Sequence, residues 1–165
     1  QYMGARVLSR DALEYLQDNL RILSGFYGIL KPLDGVVPYR LEMQSKFINY
    51  KNKDLYEYWA DKIANSLFEE TNLIINLASK EYSKCVEKYL ENSPETKFIT
   101  CVFGEIKGDK VIEKGTLAKM ARGEMVRYLA QNKICDLEGL KRFDKLEYKY
   151  SQEKSNEKTY VFIKS

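Results

Sequence analysis

Histidine is absent from the 165 residues of this chain. Without an imidazole, its own residues cannot run Ser-His-Asp or Cys-His catalysis, and the commonest protein ligand for transition metals is missing. Cysteine is scarce as well. Cys85, Cys101 and Cys135 are far apart, odd in number and never in a CxxC pair, so neither a zinc site nor a dithiol redox centre is expected. The same spacing excludes a secreted disulfide framework and fits buried thiols in a reducing cytosol. The carboxylates form no ligand-spaced group, so no metal and no cofactor is expected. No apolar run reaches the length of a membrane span and no signal peptide opens the chain, so a cytoplasmic protein without a membrane partner is the expectation. Gln1 stands first instead of Met, which reads as a processed or excerpted protein. Excess charge is also small. Lys and Arg number 27 against 24 Asp and Glu, a net +3, and the pI of about 8.6 falls short of the value near 9 that marks a strongly nucleic-acid-binding domain. Any electrostatic function must come from a local cluster of cations.

What is present is globular: 44% hydrophobic and 31% charged residues, in a length that fits one domain over 1–165. Ser9 reads as an N-cap, with Leu13, Leu16, Leu20 and Leu23 at helical spacing up to a stop near Ser24-Gly25. Pro38-Tyr39-Arg40-Leu41-Glu42-Met43 alternates as an extended segment would. A second helix is predicted over 54–70, striped by Leu55, Trp59, Ile63 and Leu67. Residues 73–77 read as a buried strand and a helix capped by Ser79 follows to about Val86. Residues 97–103 and 110–113 bracket a Lys107-Gly108-Asp109 hairpin turn. A third long helix is predicted over 115–131, a helical turn over 136–141, and a closing antiparallel pair at 147–150 and 159–163, joined by a polar, mobile loop over 151–158. The pattern is a mixed α/β (α+β) fold, with a small sheet packed by three main helices.

Four places have the residues for chemistry. On the third helix Leu117, Ala121 and Tyr128 point inward, while Lys119, Arg122 and Arg127 share the opposite face with Gly115, Gly123 and Ala130. Cations among small residues would let a polyanion approach the helix closely; an ordinary solvated face is the competing reading. Asn76 and Ser79 sit where a strand gives way to a helix N-terminus, a place suited to a phosphate or carboxylate, although simple capping explains Ser79 as well. Ser24-Gly25-Phe26-Tyr27-Gly28 with Lys31 has the look of a helix-hairpin-helix element, which grips DNA phosphates through backbone N–H groups; a plain tight turn is the competing reading. Arg40 and Glu42 share one strand face as a surface pair or as the lining of a polar site.

Taken together, these blocks resemble the YaaA family of peroxide-stress proteins. The resemblance rests on residues 23–28, Lys31-Pro32-Leu33-Asp34, residues 38–43, Leu55-Tyr56 with Trp59, Asn76-Leu77-Ala78-Ser79 with Glu81-Tyr82, and Ala118-Lys119, Ala121-Arg122-Gly123 and Arg127. It implies a cytoplasmic protein of unusual mixed α/β fold, associated with oxidative-stress protection, binding of double-stranded DNA and restraint of intracellular iron. Nothing in the sequence offers an iron site. The family's chains look longer, with a portion ahead of Tyr2-Met3-Gly4, so the resemblance implies an N-terminally incomplete domain. Lys31 stands where the family often has Arg, keeping the charge without the planar fork.

Three functions follow. A DNA-binding protective protein would hold phosphates through Ser24, Gly25, Tyr27, Gly28, Lys31, Arg40, Asn76, Ser79, Lys119, Arg122 and Arg127, with weak sequence preference and strong salt dependence. An enzyme acting on a small phosphorylated or nucleotide-like substrate would use Glu42 or Glu81 as general acid or base, with Lys119 and Arg122 steadying negative charge. A partner-binding module would leave all these charges as surface.

Overall fold

The structure is a computed structural model that describes residues 2–45 and 52–165. In chain order its main elements are α1 (Arg10–Asn19), β1 (Ile22–Ser24), β2 (Gly28–Leu30), α2 (Leu55–Trp59), α3 (Lys62–Glu70), β3 (Leu73–Asn76), α4 (Lys80–Glu87), β4 (Lys97–Lys107), β5 (Lys110–Ile112), α5 (Gly115–Gln131), α6 (Leu137–Lys141), β6 (Tyr148–Tyr150) and β7 (Thr159–Lys164). The fold is mixed α/β, as expected. It divides into two compact units, residues 1–19 with 99–165, and residues 20–98.

The unit of residues 1–19 and 99–165 is built on a mixed sheet. Ile99, Cys101 and Phe103 alternate into the core from β4, the period-2 pattern of a strand with a buried face. β4 runs parallel to β7 from Thr100↔Thr159 to Gly104↔Ile163. β6 closes antiparallel on β7, pairing Tyr148 with Lys164 and Tyr150 with Phe162. β5 folds back on β4 through a turn in which Gly108 takes φ 61°, so the hairpin and the closing pair expected from the sequence both form. Phe103, Phe143, Tyr148 and Phe162 are fully buried, with Phe103 5.1 Å from Phe162 and 5.5 Å from Tyr148 between ring centroids. α5 buries Ala118, Ala121, Met125 and Ala130, and α1 packs on it. Ser9 caps α1 as expected, its Oγ accepting from Ala12 N at 3.3 Å.

Two expectations in this unit are corrected. α1 ends at Asn19, not near Gly25, because the Asn19 side chain donates to the Tyr15 carbonyl at 2.8 Å and closes the last turn. The 151–158 loop is internally bonded: Asn156 Oδ1 accepts from Lys158 N and Thr159 N at 2.9 Å, and Ser155 Oγ bridges Ser151 O and Val161 N. Its polar residues are the turn's own hydrogen-bond partners.

The unit of residues 20–98 packs α2, α3 and α4 around Met43, Leu55, Ile63, Ala64, Leu67, Cys85 and Val86. Each large apolar side chain buried this way stabilises the fold by about 1.5–3 kcal/mol. The helix expected over 54–70 is broken in two. Ala60 turns out of helical geometry at φ 47° and ψ −126°, because each half has its own start. Asp54 caps α2, its side chain accepting from Glu57 N at 2.9 Å, while Asp61 at the start of α3 accepts from the Asn65 side-chain amide at 3.0 Å without a cap bond to the backbone. β3 is only half-buried except at Asn76. Residues 38–43 form no strand: they find no partner strand, and only Met43 at their end is fully buried. β1 and β2 pair antiparallel, Ile22↔Leu30 to Ser24↔Gly28. Residues 22–30 are therefore a β-hairpin and not the turn of a helix-hairpin-helix, because Ile22, Leu23, Ile29 and Leu30 suit paired strands.

Candidate functional site

The hairpin uses its glycines for close packing. A Cβ on Gly25 would stand 2.8 Å from the Leu41 carbonyl oxygen, and one on Gly28, at φ 76°, would stand 2.9 Å from the Trp59 ring. Trp59 Nε1 donates to Gly25 O at 3.0 Å. Ser24 is buried; its Oγ accepts from Tyr27 N at 2.9 Å and shares a hydrogen bond with the Tyr39 hydroxyl. The Tyr27 hydroxyl accepts from Val37 N at 3.0 Å. Ile29 N reaches Tyr27 O at 3.1 Å and Lys31 N reaches Asp34 Oδ2 at 2.8 Å. The backbone donors of Tyr27, Ile29 and Lys31, which a phosphate grip would need, are therefore bonded within the loop. The Lys31 side chain is exposed.

The polar residues further along the same unit fall into two groups. Tyr82 lies among Glu81, Tyr39 and Glu42. Burial, first, and then these neighbours hold its phenol above its ordinary value of 10.0, so the hydroxyl keeps its proton. Glu81 Oε1 accepts from Gln44 N at 3.3 Å and its carbonyl accepts from the Tyr56 hydroxyl at 2.9 Å. Two carboxylates and two phenols thus share one neighbourhood, with Glu42 and Tyr39 exposed to solvent. Asn76 and Ser79 act differently. Asn76 is buried and its Oδ1 accepts from Ala78 N at 3.0 Å. Ser79 occupies the N-cap of α4 without a side-chain cap bond, contrary to expectation; its carbonyl takes the N–H groups of Tyr82 and Ser83, each at 2.9 Å. Arg40 is exposed in the loop.

In the other unit, the cations of α5 are unequal. Lys119 is exposed. Arg122 Nη2 meets Glu113 Oε1 at 3.1 Å, and the pair is four-fifths and about seven-tenths buried. The guanidinium of Arg127 lies against Gly4. The face of small residues is not open: Tyr2 and Met3 lie on Gly123, where a Cβ would stand 2.7 Å from Tyr2 Cβ, and Ala130 is buried. The reason is that a glycine on a helix admits backbone, and here the chain's own backbone takes the space. Among the described residues, Lys31, Arg40, Lys119 and Arg127 have no carboxylate within ion-pair distance.

Spacing alone did not single out Tyr39, Tyr82 and Trp59 as site residues; the signal for them was their place in the blocks that carry the family resemblance. The thiols divide, with Cys85 and Cys101 buried and Cys135 exposed, against the expectation that all three are core. Among the described residues no three of His, Cys, Asp or Glu are grouped to hold a metal ion, and no helix is long and apolar enough to cross a membrane.

Residues 1–154 match the family described as "Peroxide stress protein YaaA". The chain is 59% identical over 164 residues to a UPF0246 protein of Lachnoclostridium phytofermentans, covering 99% of this chain and 64% of that protein. It is 54% identical over 162 residues to a UPF0246 protein of Agathobacter rectalis, covering 98% and 64% respectively, and 51% identical over 165 residues to one of Desulfitobacterium hafniense, covering 100% and 65%. The chain thus spans about 64% of the length of the first two of these relatives.

Proposed function

From the premise that this chain belongs to the YaaA family of peroxide stress proteins, we propose that it contributes to peroxide-stress protection in the cytoplasm by holding duplex DNA through phosphate contacts. The observation that carries the reading is the charge left unpaired. Lys31, Arg40 and Lys119 are exposed and have no carboxylate partner among the described residues. Such cations stay available to an outside anion, whereas Arg122 is already engaged by Glu113. The grip is one of side chains and not of hairpin N–H groups, since those are bonded internally. Contacts of this kind fix a duplex without reading its sequence.

The test is a titration of labelled duplex across a salt series, repeated with Lys31→Ala, Arg40→Ala and Lys119→Ala. Affinity should fall steeply with salt, and each variant that removes a phosphate contact should make the log–log slope shallower by about 0.9. Binding that ignores salt and all three substitutions would sink the reading.

A second reading is favoured by the grouping of Tyr39, Glu42, Glu81 and Tyr82. Two carboxylates beside the protonated Tyr82 phenol suit proton transfer on a small phosphorylated or nucleotide-like substrate. Under it, Glu81→Gln and Tyr82→Phe abolish turnover of such a substrate and leave duplex affinity unchanged. Loss of duplex affinity in these two variants would favour the first reading instead.

A further inference from the structure

A cleft of about 300 Å³ in the 20–98 unit is lined by neither Lys31 nor Arg40 nor the group of Tyr39, Glu42, Glu81 and Tyr82. It is lined by the end-to-end run of α2, notably Asp54, Glu57, Trp59 and Ala60, and by Lys84, Cys85, Lys88 and Tyr89 from α4 and just beyond, with Tyr56. Its size is at the small end of ligand cavities.

Its chemistry is specific. Three aromatic side chains, Tyr56, Trp59 and Tyr89, offer surfaces against which a planar ring can pack. Lys84 Nζ lies 4.8 Å from the centre of the Tyr56 ring, and Lys88 Nζ 5.4 Å from that of Tyr89, contacts that hold an ammonium in place without neutralising it. Neither lysine has a carboxylate within ion-pair distance among the described residues. The two carboxylates of the lining are each tied by one oxygen to backbone: Asp54 Oδ1 accepts from Glu57 N at 2.9 Å and Glu57 Oε2 from Lys53 N at 2.8 Å. Their remaining lone pairs would accept from a donor edge on a ligand. Other polar groups are already engaged, since the Trp59 indole N–H donates to Gly25 O and the Tyr56 hydroxyl to Glu81 O. Ala60, in the wall, is held at φ 47° and ψ −126°, a conformation an L residue adopts only when its surroundings impose it.

We propose that this cleft is a binding site for a nucleoside monophosphate: the ring packs on the aromatic lining, its donor edge meets Asp54 and Glu57, and the phosphate is held by Lys84 and Lys88. Charge of both signs around aromatic walls selects a ligand with hydrogen-bond donors on a planar ring and an anion carried beside it. The site is independent of the duplex-binding reading, which rests on Lys31, Arg40 and Lys119.

Trp59 is the chain's single tryptophan and lines the cleft, so its emission reports occupancy. Guanosine monophosphate, guanosine and inorganic phosphate are titrated separately against the chain, with excitation at the red edge of tryptophan absorption. A saturable change is expected with the nucleotide, with guanosine and phosphate each weaker by at least about tenfold. The Lys84→Gln/Lys88→Gln pair, which keeps most of each stem, should weaken the nucleotide by at least about tenfold, with an unchanged circular dichroism spectrum and an unchanged salt slope for duplex. No saturable change with the nucleotide, equal affinity for phosphate alone or guanosine alone, or nucleotide affinity indifferent to the double substitution would each overturn the proposal.

Discussion

Gly28 holds φ 76° beneath the Trp59 ring, with room for a hydrogen and none for a methyl group. Gly28→Ala would pay twice, once for a left-handed backbone and once for displacing the indole that anchors Gly25 O. A loss of about 2–4 kcal/mol is expected, read as a lower urea midpoint; an unshifted midpoint would mean that the ring yields freely. Ala60 is the reverse case. Its φ of 47° carries strain that glycine would not feel, so Ala60→Gly should raise stability by about 1 kcal/mol despite the extra freedom glycine brings to the unfolded chain. A thermal midpoint lowered by the substitution would show that the backbone there relaxes when alone in solution. Both residues were opaque in the sequence. Gly28 read as part of a phosphate-gripping turn, and nothing marked Ala60, because the torsions are set by what surrounds them: Trp59 in one case and the junction of two separate helices in the other.

Among the elements, those with a full local signal were legible. α5 runs over Gly115–Gln131 as its periodicity predicts, and the Gly108 turn and the β6–β7 pair form where turn and strand residues place them. The failures share a cause. Residues 38–43 alternate like a strand but lack a partner, and residues 22–30 became a hairpin since two short apolar runs flanking glycines pair more readily than they extend α1. The basic helix was half legible: Lys119 is exposed, yet Arg122 has Glu113 and Gly123 has Tyr2 and Met3, contacts from nine residues and from over a hundred residues away that no helical wheel contains. Gly123→Ala tests that last contact. Alanine gains about 1 kcal/mol of helix propensity while its Cβ would stand 2.7 Å from Tyr2 Cβ. The global midpoint should therefore move little, and the amides of residues 2–8 should exchange faster. Unchanged exchange in that segment would mean that Tyr2 shifts without leaving α5. Asp136, whose Oδ1 accepts from Gly139 N at 2.6 Å at the start of α6, gives a plainer case: Asp136→Ala should cost about 1 kcal/mol in denaturant unfolding.

For the molecule as a whole, nearly balanced charge leaves pH to act through a few buried groups, and the thiols dominate. Burial pushes the Cys85 thiol from 9.0 up to about 11 and the Cys101 thiol from 9.0 up to about 12, against a weaker pull downward from Arg122. Both folded values lie above the unfolded one, so above about pH 9 the folded chain holds protons that the unfolded chain releases. The stability these thiols supply is complete below that pH and is lost as pH rises, through about 11 for Cys85 and about 12 for Cys101. Each thiol steepens the decline by up to about 1.4 kcal/mol per pH unit. Tyr15, Tyr56, Tyr82 and Tyr148, whose phenols burial also raises above 10.0, add in the same direction at higher pH. Urea midpoints measured across this range should hold level up to about pH 9 and then fall. Cys85 belongs to the 20–98 unit and Cys101 to the other, so Cys85→Ala and Cys101→Ala should each lower the starting stability and each flatten the alkaline decline by one proton. A decline whose slope neither substitution changes would assign it to the tyrosines, and a level midpoint up to pH 11 would mean that water reaches both thiols in the folded chain.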